Sequence, residues 1–262
     1  MKSISQKKAN LFLILGGIFI TNAIVAELVG GKIFSLEGTL GISQFQIPLM
    51  GEKWDFNLTA GVILWPVVFI TTDIINEYFG KEGVRKISLL TVILIVYVFI
   101  AVFLITLLLP ADFWLDANNQ DDAGNYLNIS YAFNRIFRQG MWIIAGSLVA
   151  FLVGQLLDAY IFHKFRRFTG KRLLWVRATG STLVSQFIDS FVVLFIAFYI
   201  SGQMSFSVVI AIGIVNYFYK FMVAIIITPF LYLAHYLIDN YLGKELAGEM
   251  MEDAAGKSKT FF

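Results

Sequence analysis

Apolar runs of membrane-crossing length alternate with polar segments along the whole chain. A helix needs about 20 predominantly apolar residues to cross a bilayer, and most of these runs reach that length. The pattern therefore predicts an all-α, polytopic membrane protein whose residues 1–262 form a single domain. We expect six transmembrane helices, at about residues 11–30, 59–79, 87–109, 141–162, 178–200 and 206–237.

The sequence also predicts features of the segments that connect the spans and of residues near the span ends. We expect Lys32 to Phe56 and Ala111 to Gln139 to be polar loops, and the mixed-charge tail after the last span to be frayed. Glu27 is expected to be interfacial and to pair with Lys32. His235 and Asp239, four residues apart, are interpreted as a structural pair at the inner boundary.

The amino-acid composition narrows the class of protein. Hydrophobic residues make up 58% of the chain, mean hydropathy is +0.75 and only 15% of residues are charged, as in a helical membrane protein. The net charge of +2 is too small to indicate a nucleic-acid partner. The chain contains no cysteine and two separated histidines, so we expect neither a disulfide nor a metal site, and no cofactor.

Positive charges fall mostly on one side of the predicted membrane. Fifteen Lys or Arg residues lie before the first span, after the second, after the fourth and after the sixth, against four in the remaining connections. The positive-inside rule then predicts that both termini are cytoplasmic. The first span could also be read as a signal peptide, but its small residues Ala23 and Ala26 do not have the A-x-A spacing of a cleavage site.

Polar side chains inside the spans occur in sets three or four residues apart, so each set lies on one face of its helix. Four such stripes are predicted, and one shared cavity is the most economical place for them. A rise of about 1.5 Å per residue sorts these residues by depth. Near the midplane we expect Asn22, Gln186, Asp189, Asn216 and Lys220; in the cytoplasmic half we expect Asp73, Asn76, Glu77, Gln155 and Asp158.

Asp189 and Lys220 are the most informative of these residues, because they lie at similar predicted depth in consecutive spans. A charge at mid-bilayer is costly and usually marks a functional site. Each assignment also has a structural alternative. Asp189 and Lys220 could form a purely structural ion pair, Asp158 could pair with Arg166, and Glu77 could pair with Lys81 at the end of the second span.

The predicted cavity suits a flat, polar heterocycle. A carboxylate accepts two adjacent N–H groups, an amide donates and accepts, and an ammonium group donates to a carbonyl oxygen. Aromatic side chains such as Tyr217 and Tyr219 could stack on the ring. An amino acid or a small cation could use many of the same groups.

Four segments, FITTDIINEYFGKEGVRK, GQLLDAYIFHKFRR, STLVSQFIDSFVVLFIAF and NYFYKFMVAIIITPFLYL, together resemble the VUT family of queuosine precursor transporters. The resemblance covers most of the chain. It implies a six-helix bundle similar to the vitamin-binding S-components and uptake of 7-cyano- or 7-aminomethyl-7-deazaguanine, or of queuine, across a bacterial inner membrane. The residues that match the family's motifs are Asp73, Gln155, Asp158, Asp189 and Lys220.

Two features depart from the family pattern. The two outer loops are longer than in compact members, and Gln186 stands where Asn or Gly is expected. The predicted substrate-binding set nevertheless keeps all eight residues: Asn22, Asp73, Gln155, Asp158, Gln186, Asp189, Asn216 and Lys220. The partners expected are a small deazapurine and membrane lipid, and the sequence is compatible with a monomer or a homo-oligomer.

Two other classes compete with a transporter that works alone. One is a substrate-binding subunit driven by a separate ATPase, since the chain has no Walker A motif of its own. The other is an intramembrane enzyme that uses Asp158 or His163. No nucleophile and base occur together in the sequence, so we expect no catalytic residues.

Overall fold

Long helices account for most of the chain in the computed structural model, which describes residues 4–49, 52–138, 141–169, 174–200, 202 and 204–257. In a bilayer the backbone must satisfy its own hydrogen bonds, and a helix does so within one segment. The long helices are α1 (Ile4–Val29), α3 (Trp65–Ile105), α6 (Met141–Thr169), α7 (Leu174–Leu194), which continues as a π-helix over Phe195–Ile200, and α8 (Phe206–Leu242).

Within the described residues, four helical stretches have the length and apolar composition to cross a membrane: Ile4–Val29, Trp65–Ile105, Gly146–Phe165 and Phe206–Leu242. A shorter apolar stretch, Gln186–Ile200, lies on α7 and the π-helix that follows it. The stretch Trp65–Ile105 has 41 residues, about 60 Å if it were straight, which is roughly twice the hydrocarbon thickness. It contains most of the predicted second and third spans.

The chain reverses direction at Gly80, inside α3. Gly80 has φ 69° and ψ −173°, which is not helical. A Cβ added to Gly83 would lie only 2.6 Å from the Cβ of Phe79, whereas residues four apart in one straight helix keep these atoms about 5–6 Å apart. Residues 65–79 and 81–105 therefore form a helical hairpin.

Contacts with α1 show the same reversal. Near the start of α1, the ring of Phe12 lies 5.0 Å from that of Phe79. Further along α1, a Cβ on Gly16 would lie 2.8 Å from Cδ1 of Ile87, and near its end the carbonyl of Ala26 would lie 2.5 Å from a Cβ on Gly61. Residues 65–79 thus run antiparallel to α1 and residues 81–105 run parallel to it.

The remaining long helices alternate in direction. Ser147 of α6 hydrogen-bonds the carboxylate of Glu27 at the end of α1, and Tyr160 lies under Lys81, with 5.4 Å between Nζ and the ring centroid. Helix α6 is therefore antiparallel to α1. The side chain of Glu27, near the end of α1, is buried between these two helices.

Helices α7 and α8 are antiparallel to each other. The rings of Phe187 and Tyr217 lie 5.3 Å apart, and a Cβ on Gly213 would lie 2.5 Å from Cε1 of Phe191. Residues later in α7 therefore contact residues earlier in α8. The small residue at position 213 allows this close approach of the two helices.

The expectation of a frayed tail is wrong. Residues Lys244–Lys257 form a helix, α9, with Leu246, Ala247, Met250 and Ala254 buried. These residues recur at helical spacing, so α9 has an apolar face despite its charges. That face covers the reversal in α3, because a Cβ on Gly80 would lie 3.2 Å from the carbonyl oxygen of Ala254.

The two predicted loops contain short elements. In the first, β1 (Ile33–Ser35) pairs antiparallel with β4 (Asn57–Thr59), so that Ile33 is opposite Thr59, and β2 (Ile47–Leu49) pairs antiparallel with β3 (Glu52–Trp54), so that Ile47 is opposite Trp54. The helix α2 (Leu36–Leu40) lies between β1 and β2, and a 3₁₀ turn, Ala60–Ile63, precedes α3. The second loop contains α4 (Asp112–Ala117) and α5 (Ile129–Phe137).

Glu37 holds the first of these loops together. Its side chain is fully buried, and Oε1 accepts a 2.9 Å hydrogen bond from the backbone N–H of Phe56. Burial alone would raise the pKa of the Glu37 carboxyl, but backbone hydrogen bonds, that of Phe56 foremost, outweigh it and keep the pKa below its ordinary value. Phe56 and Leu58 then pack with Val215 of α8, which attaches the loop to the helices.

Candidate functional site

A cleft lies where the first turns of α3 meet α7 and α8. The empty space in it, counted together with the part that is open to the surroundings, is about 280 Å³. Its lining is mostly apolar or aromatic, with one amide and one ammonium group. The lining residues are Val62, Trp65, Pro66, Phe69, Gln186, Tyr219, Lys220, Val223, Ala224 and Ile227.

One wall of the cleft is aromatic. Trp65 and Phe69 are one helical turn apart, and their rings stack with centroids 5.8 Å apart at 20°. The Trp65 ring also contacts Phe151 of α6, with 5.6 Å between centroids, so α6 supports this wall from behind. Pro66 lies in the first turn of α3, where its missing N–H is no loss to the helix. The wall offers a flat surface on which a ring could stack.

Gln186 provides an acceptor in this cleft. The side chain is 5% exposed, and its Oε1 has no hydrogen-bond partner among the residues that the structure describes. Leaving a buried acceptor unsatisfied costs roughly 1–3 kcal/mol, so an N–H group of a ligand would be favoured there. Ser190, one turn further along α7, is 3% exposed and its Oγ is likewise unpartnered within the described chain. The two residues form one polar stripe.

Lys220 provides the charge of the cleft. It lies in the middle of α8, is half-buried, and lines the cleft beside Tyr219. The antiparallel packing of α7 and α8 brings it to the same cleft as Gln186. An ammonium group with three donors and a side-chain amide in the same lining give the cleft complementary hydrogen-bonding groups.

The other six predicted site residues differ in how far the structure describes them. Asp73 and Asp158 are buried in α3 and α6 but do not line the cleft. Asn22 is half-buried, and its Nδ2 donates a 2.8 Å hydrogen bond to the carbonyl of Ile18 in its own helix. Asn216 is half-buried one turn before Lys220. The side chains of Gln155 and Asp189 lie outside the described residues.

Of the four predicted stripes, the residues described as lining this cleft are Gln186 and Lys220. The direction in which α3 presents its polar face explains why Asp73 does not line this cleft. The face of α3 that carries Asp73 faces the cleft only in its first turns, at Pro66 and Phe69. Asp73 is one turn beyond Phe69 on the same face, so it extends the wall inward instead of lining the described cleft.

The sequence-based reasoning missed the aromatic wall. Trp65 and Phe69 were not among the predicted site residues, although the pattern contained a signal for them. An aromatic pair four residues apart, followed after four more residues by Asp73, places two rings and a carboxylate along one helical face.

Long apolar helices that alternate in direction around a partly polar cleft define a multi-pass membrane protein of the transporter class. Comparison with known proteins gives the family. The profile described as "Putative vitamin uptake transporter" matches residues 59–234, and the chain belongs to this family. The family consists of transporters and not of enzymes, so the resemblance seen in the sequence motifs is confirmed.

Three bacterial relatives have the same named activity. A Bacillus subtilis protein named "Probable queuosine precursor transporter" is 31% identical over 76% of this chain and 80% of its own length. A Haemophilus influenzae protein of the same name is 27% identical over 67% of each chain. The Escherichia coli "Queuosine precursor transporter" is 27% identical over 70% of this chain and 75% of its own. No solved structure matches the chain.

Proposed function

We propose that this protein imports queuosine precursors, in the form of 7-cyano- or 7-aminomethyl-7-deazaguanine or the free base queuine, across a bacterial inner membrane. The names of the three relatives support this class of substrate. The observation that carries the proposal is the cleft itself, in which the buried acceptor of Gln186 and the ammonium group of Lys220 lie beside an aromatic wall.

Each group of the cleft has a partner on a deazaguanine. The flat ring would stack on the wall formed by Trp65 and Phe69. An N–H group on the ring edge would donate to Oε1 of Gln186 and remove the cost of leaving that acceptor buried. Lys220 would donate to the carbonyl oxygen of the base. The base thus satisfies the amide and the ammonium group at once, which a purely apolar ligand could not do.

The remaining predicted residues are proposed to act on the way inward. Asp73 continues the face of α3 that carries Phe69, and Asp158 is buried on the neighbouring helix α6. Together with Asn22, Gln155, Asp189 and Asn216, they would give the substrate polar contacts beyond the cleft. Buried ionisable residues in transmembrane segments usually serve such pathways.

We also propose six membrane crossings with both termini in the cytoplasm, in an arrangement similar to the vitamin-binding S-components. Support comes from the hairpin at Gly80, whose two arms would each cross the membrane, and from α7, whose apolar stretch runs antiparallel to α8. The alternating directions of the helices agree with six passes. The excess of Lys and Arg in every second connection favours this orientation.

The test is uptake of radiolabelled 7-deazaguanine precursors by cells that cannot synthesise them, with and without this protein. We expect uptake only with the protein, and competition by unlabelled precursor but not by adenine. Gln186→Leu and Lys220→Met should each lower uptake about tenfold or more at equal membrane abundance, since each removes a hydrogen bond to the bound base.

Two additions sharpen that experiment. Val184→Ala, at an exposed position on the same helix as Gln186, is the matched control and should leave uptake unchanged. A proton uncoupler separates coupled uptake, which it abolishes, from facilitated entry followed by metabolic trapping, which it leaves. Undiminished uptake by both cleft variants would remove the cleft as the binding site.

A further inference from the structure

The outer connection between α3 and α6 contains a second feature that the transport site does not use. Helix α5 (Ile129–Phe137) places Ile129, Ala132, Phe133, Ile136 and Phe137 on one face and its polar residues on the other. No residue of α5, all of which the structure describes, is buried. Ile136 is 64% exposed and Tyr131 is 66% exposed.

The end of α5 is tied to the end of α3. Arg138, the residue after α5, donates 2.9 Å from Nε to Oγ1 of Thr106 and 3.0 Å from Nη2 to the carbonyl oxygen of Thr106. Its guanidinium also lies 5.9 Å from the ring centroid of Phe103. Thr106 is the first residue after α3, so these contacts hold α5 at the level where α3 ends.

The surface around Thr106 is strongly apolar and exposed. Leu104 and Leu107 are each 56% exposed, Leu108 is 71% exposed and Leu109 is 95% exposed. In a chain that crosses a membrane, exposed leucines at the end of a spanning helix face lipid. Ile136 of α5 continues the same belt, because Arg138 joins the two helix ends directly.

We propose that α5 is an interfacial helix that lies on the outer leaflet of the membrane and inserts Ile136 between the lipid headgroups and the acyl chains. A short amphipathic helix next to a spanning segment binds a membrane surface through its apolar face.

Helix α5 would bind the membrane through burial of its apolar face and not through its charge. The segment from α4 to Arg138 carries Asp112, Asp116, Asp121 and Asp122 against Arg135 and Arg138, so it is net negative. Anionic headgroups would therefore repel it. Adsorption of α5 should accordingly be at least as strong on neutral phosphatidylcholine as on vesicles that contain phosphatidylglycerol.

The absence of cysteine from the sequence permits a direct test on the full chain. A single cysteine at Ile136 is labelled with an environment-sensitive fluorophore, and the protein is reconstituted in phosphatidylcholine vesicles with brominated acyl chains. Leu104→Cys is the lipid-exposed control and Asp122→Cys the water-exposed control. The label at Ile136 should emit at shorter wavelength than the label at Asp122 and lose about half of its emission to bromine.

Emission at position 136 that matches position 122 and is not quenched by bromine would overturn the proposal. Quenching between labelled copies that disappears on dilution with unlabelled protein would also overturn it, since a second copy of the chain would then cover the helix. Ile136→Asp gives an independent readout: proteolysis of residues 129–138 from outside should become several-fold faster, and an unchanged rate would contradict membrane insertion.

Discussion

The hydroxyl of Tyr78 donates a 2.6 Å hydrogen bond to Oδ1 of Asp239. Because the phenol has a single proton, its oxygen is left to accept from Nδ1 of His235, which lies 2.9 Å away. Tyr78 lies just before the reversal at Gly80, roughly 20 Å along the helix from Trp65 in the cleft. The contact therefore joins α3 to α8 at the end remote from the candidate site.

Tyr78→Phe should lower stability with little change in the binding of substrate. Loss of a hydrogen bond to a carboxylate costs about 1.5–3 kcal/mol, and the partners on α8 stay half-buried. Thermal unfolding of the purified protein in detergent would show the loss as a lower melting temperature. Tyr236→Phe, at a position that is 64% exposed, is the matched control. Equal melting temperatures for the two variants would contradict a stabilising role for this contact.

Gly80→Ala should destabilise the helical hairpin. The φ of 69° with ψ of −173° is accessible almost only to glycine, and strain of this kind costs roughly 1–3 kcal/mol. The added methyl group would also meet the backbone of Ala254 at 3.2 Å. Gly17→Ala, on α1 with no atom within 4 Å of the new Cβ, should be neutral or slightly stabilising. Similar melting temperatures for both variants would argue against the reversal at Gly80.

The stability of the loop between α1 and α3 should depend on pH through Glu37. A pKa lowered in the folded state means that the carboxylate stabilises the fold fully above its ordinary pKa of 4.5 and that this contribution is lost as pH falls through the lower folded value. Glu37→Gln should reduce stability at pH 7 and flatten its decline below pH 4.5. Hydrogen exchange at the amide of Phe56, followed against pH, measures this. Parallel pH profiles for the two proteins would exclude Glu37 as the cause.

Fusion to a reporter that is active on only one side of the membrane tests the orientation of the protein. The bias of fifteen basic residues against four predicts that a reporter fused after Lys259 is active only as a cytoplasmic reporter. One inserted near Asn119 should be active only as an external reporter. The opposite pattern would invert the proposed topology, and activity of both fusions on one side would contradict an odd number of crossings between these positions.

Much of the architecture could be predicted because local patterns determine it. Helix α8 begins at Phe206 as predicted, and the basic turn after Phe79 does separate two helical segments, although the reversal needs only Gly80. Helix α9 was missed because its charges obscured an apolar face. The contact between Tyr78 and Asp239 could not be predicted, since it joins residues 161 positions apart and depends on how α3 and α8 pack.

Part of the candidate site could also be predicted, because local sequence patterns indicate it. Gln186 and Lys220 were found because polar groups within apolar helices are costly and therefore conspicuous. Trp65 and Phe69 were missed because aromatic residues in an apolar run carry no such signal. Which polar stripes share a cleft depends on the rotation of each helix about its axis, and the spacing of residues within one helix does not determine that rotation.

The pairing of Asp189 with Lys220 remains a prediction and can be tested by neutralising each residue. If the two charges compensate each other, Asp189→Asn or Lys220→Met alone leaves the other charge without this partner, at a cost of up to about 3–5 kcal/mol, while the double variant regains stability. The antiparallel contacts of Phe187 with Tyr217 and of Phe191 with Gly213 make position 189 nearest in level to Val215. The lysine would therefore have to extend about 7 Å along the helix, a rise of five residues, to reach its partner.

The same double variant also distinguishes a structural role of Asp189 and Lys220 from a role in transport. If Lys220 binds the substrate, the variant Asp189→Asn with Lys220→Met should insert in the membrane, melt near the temperature of the unmodified protein and yet fail to take up deazaguanine precursors. Normal uptake would mean that the pair is structural and that binding must be sought around Asp73, Gln155 and Asp158. A double variant as unstable as the sum of the single variants would show that the two residues do not interact, because independent sites add.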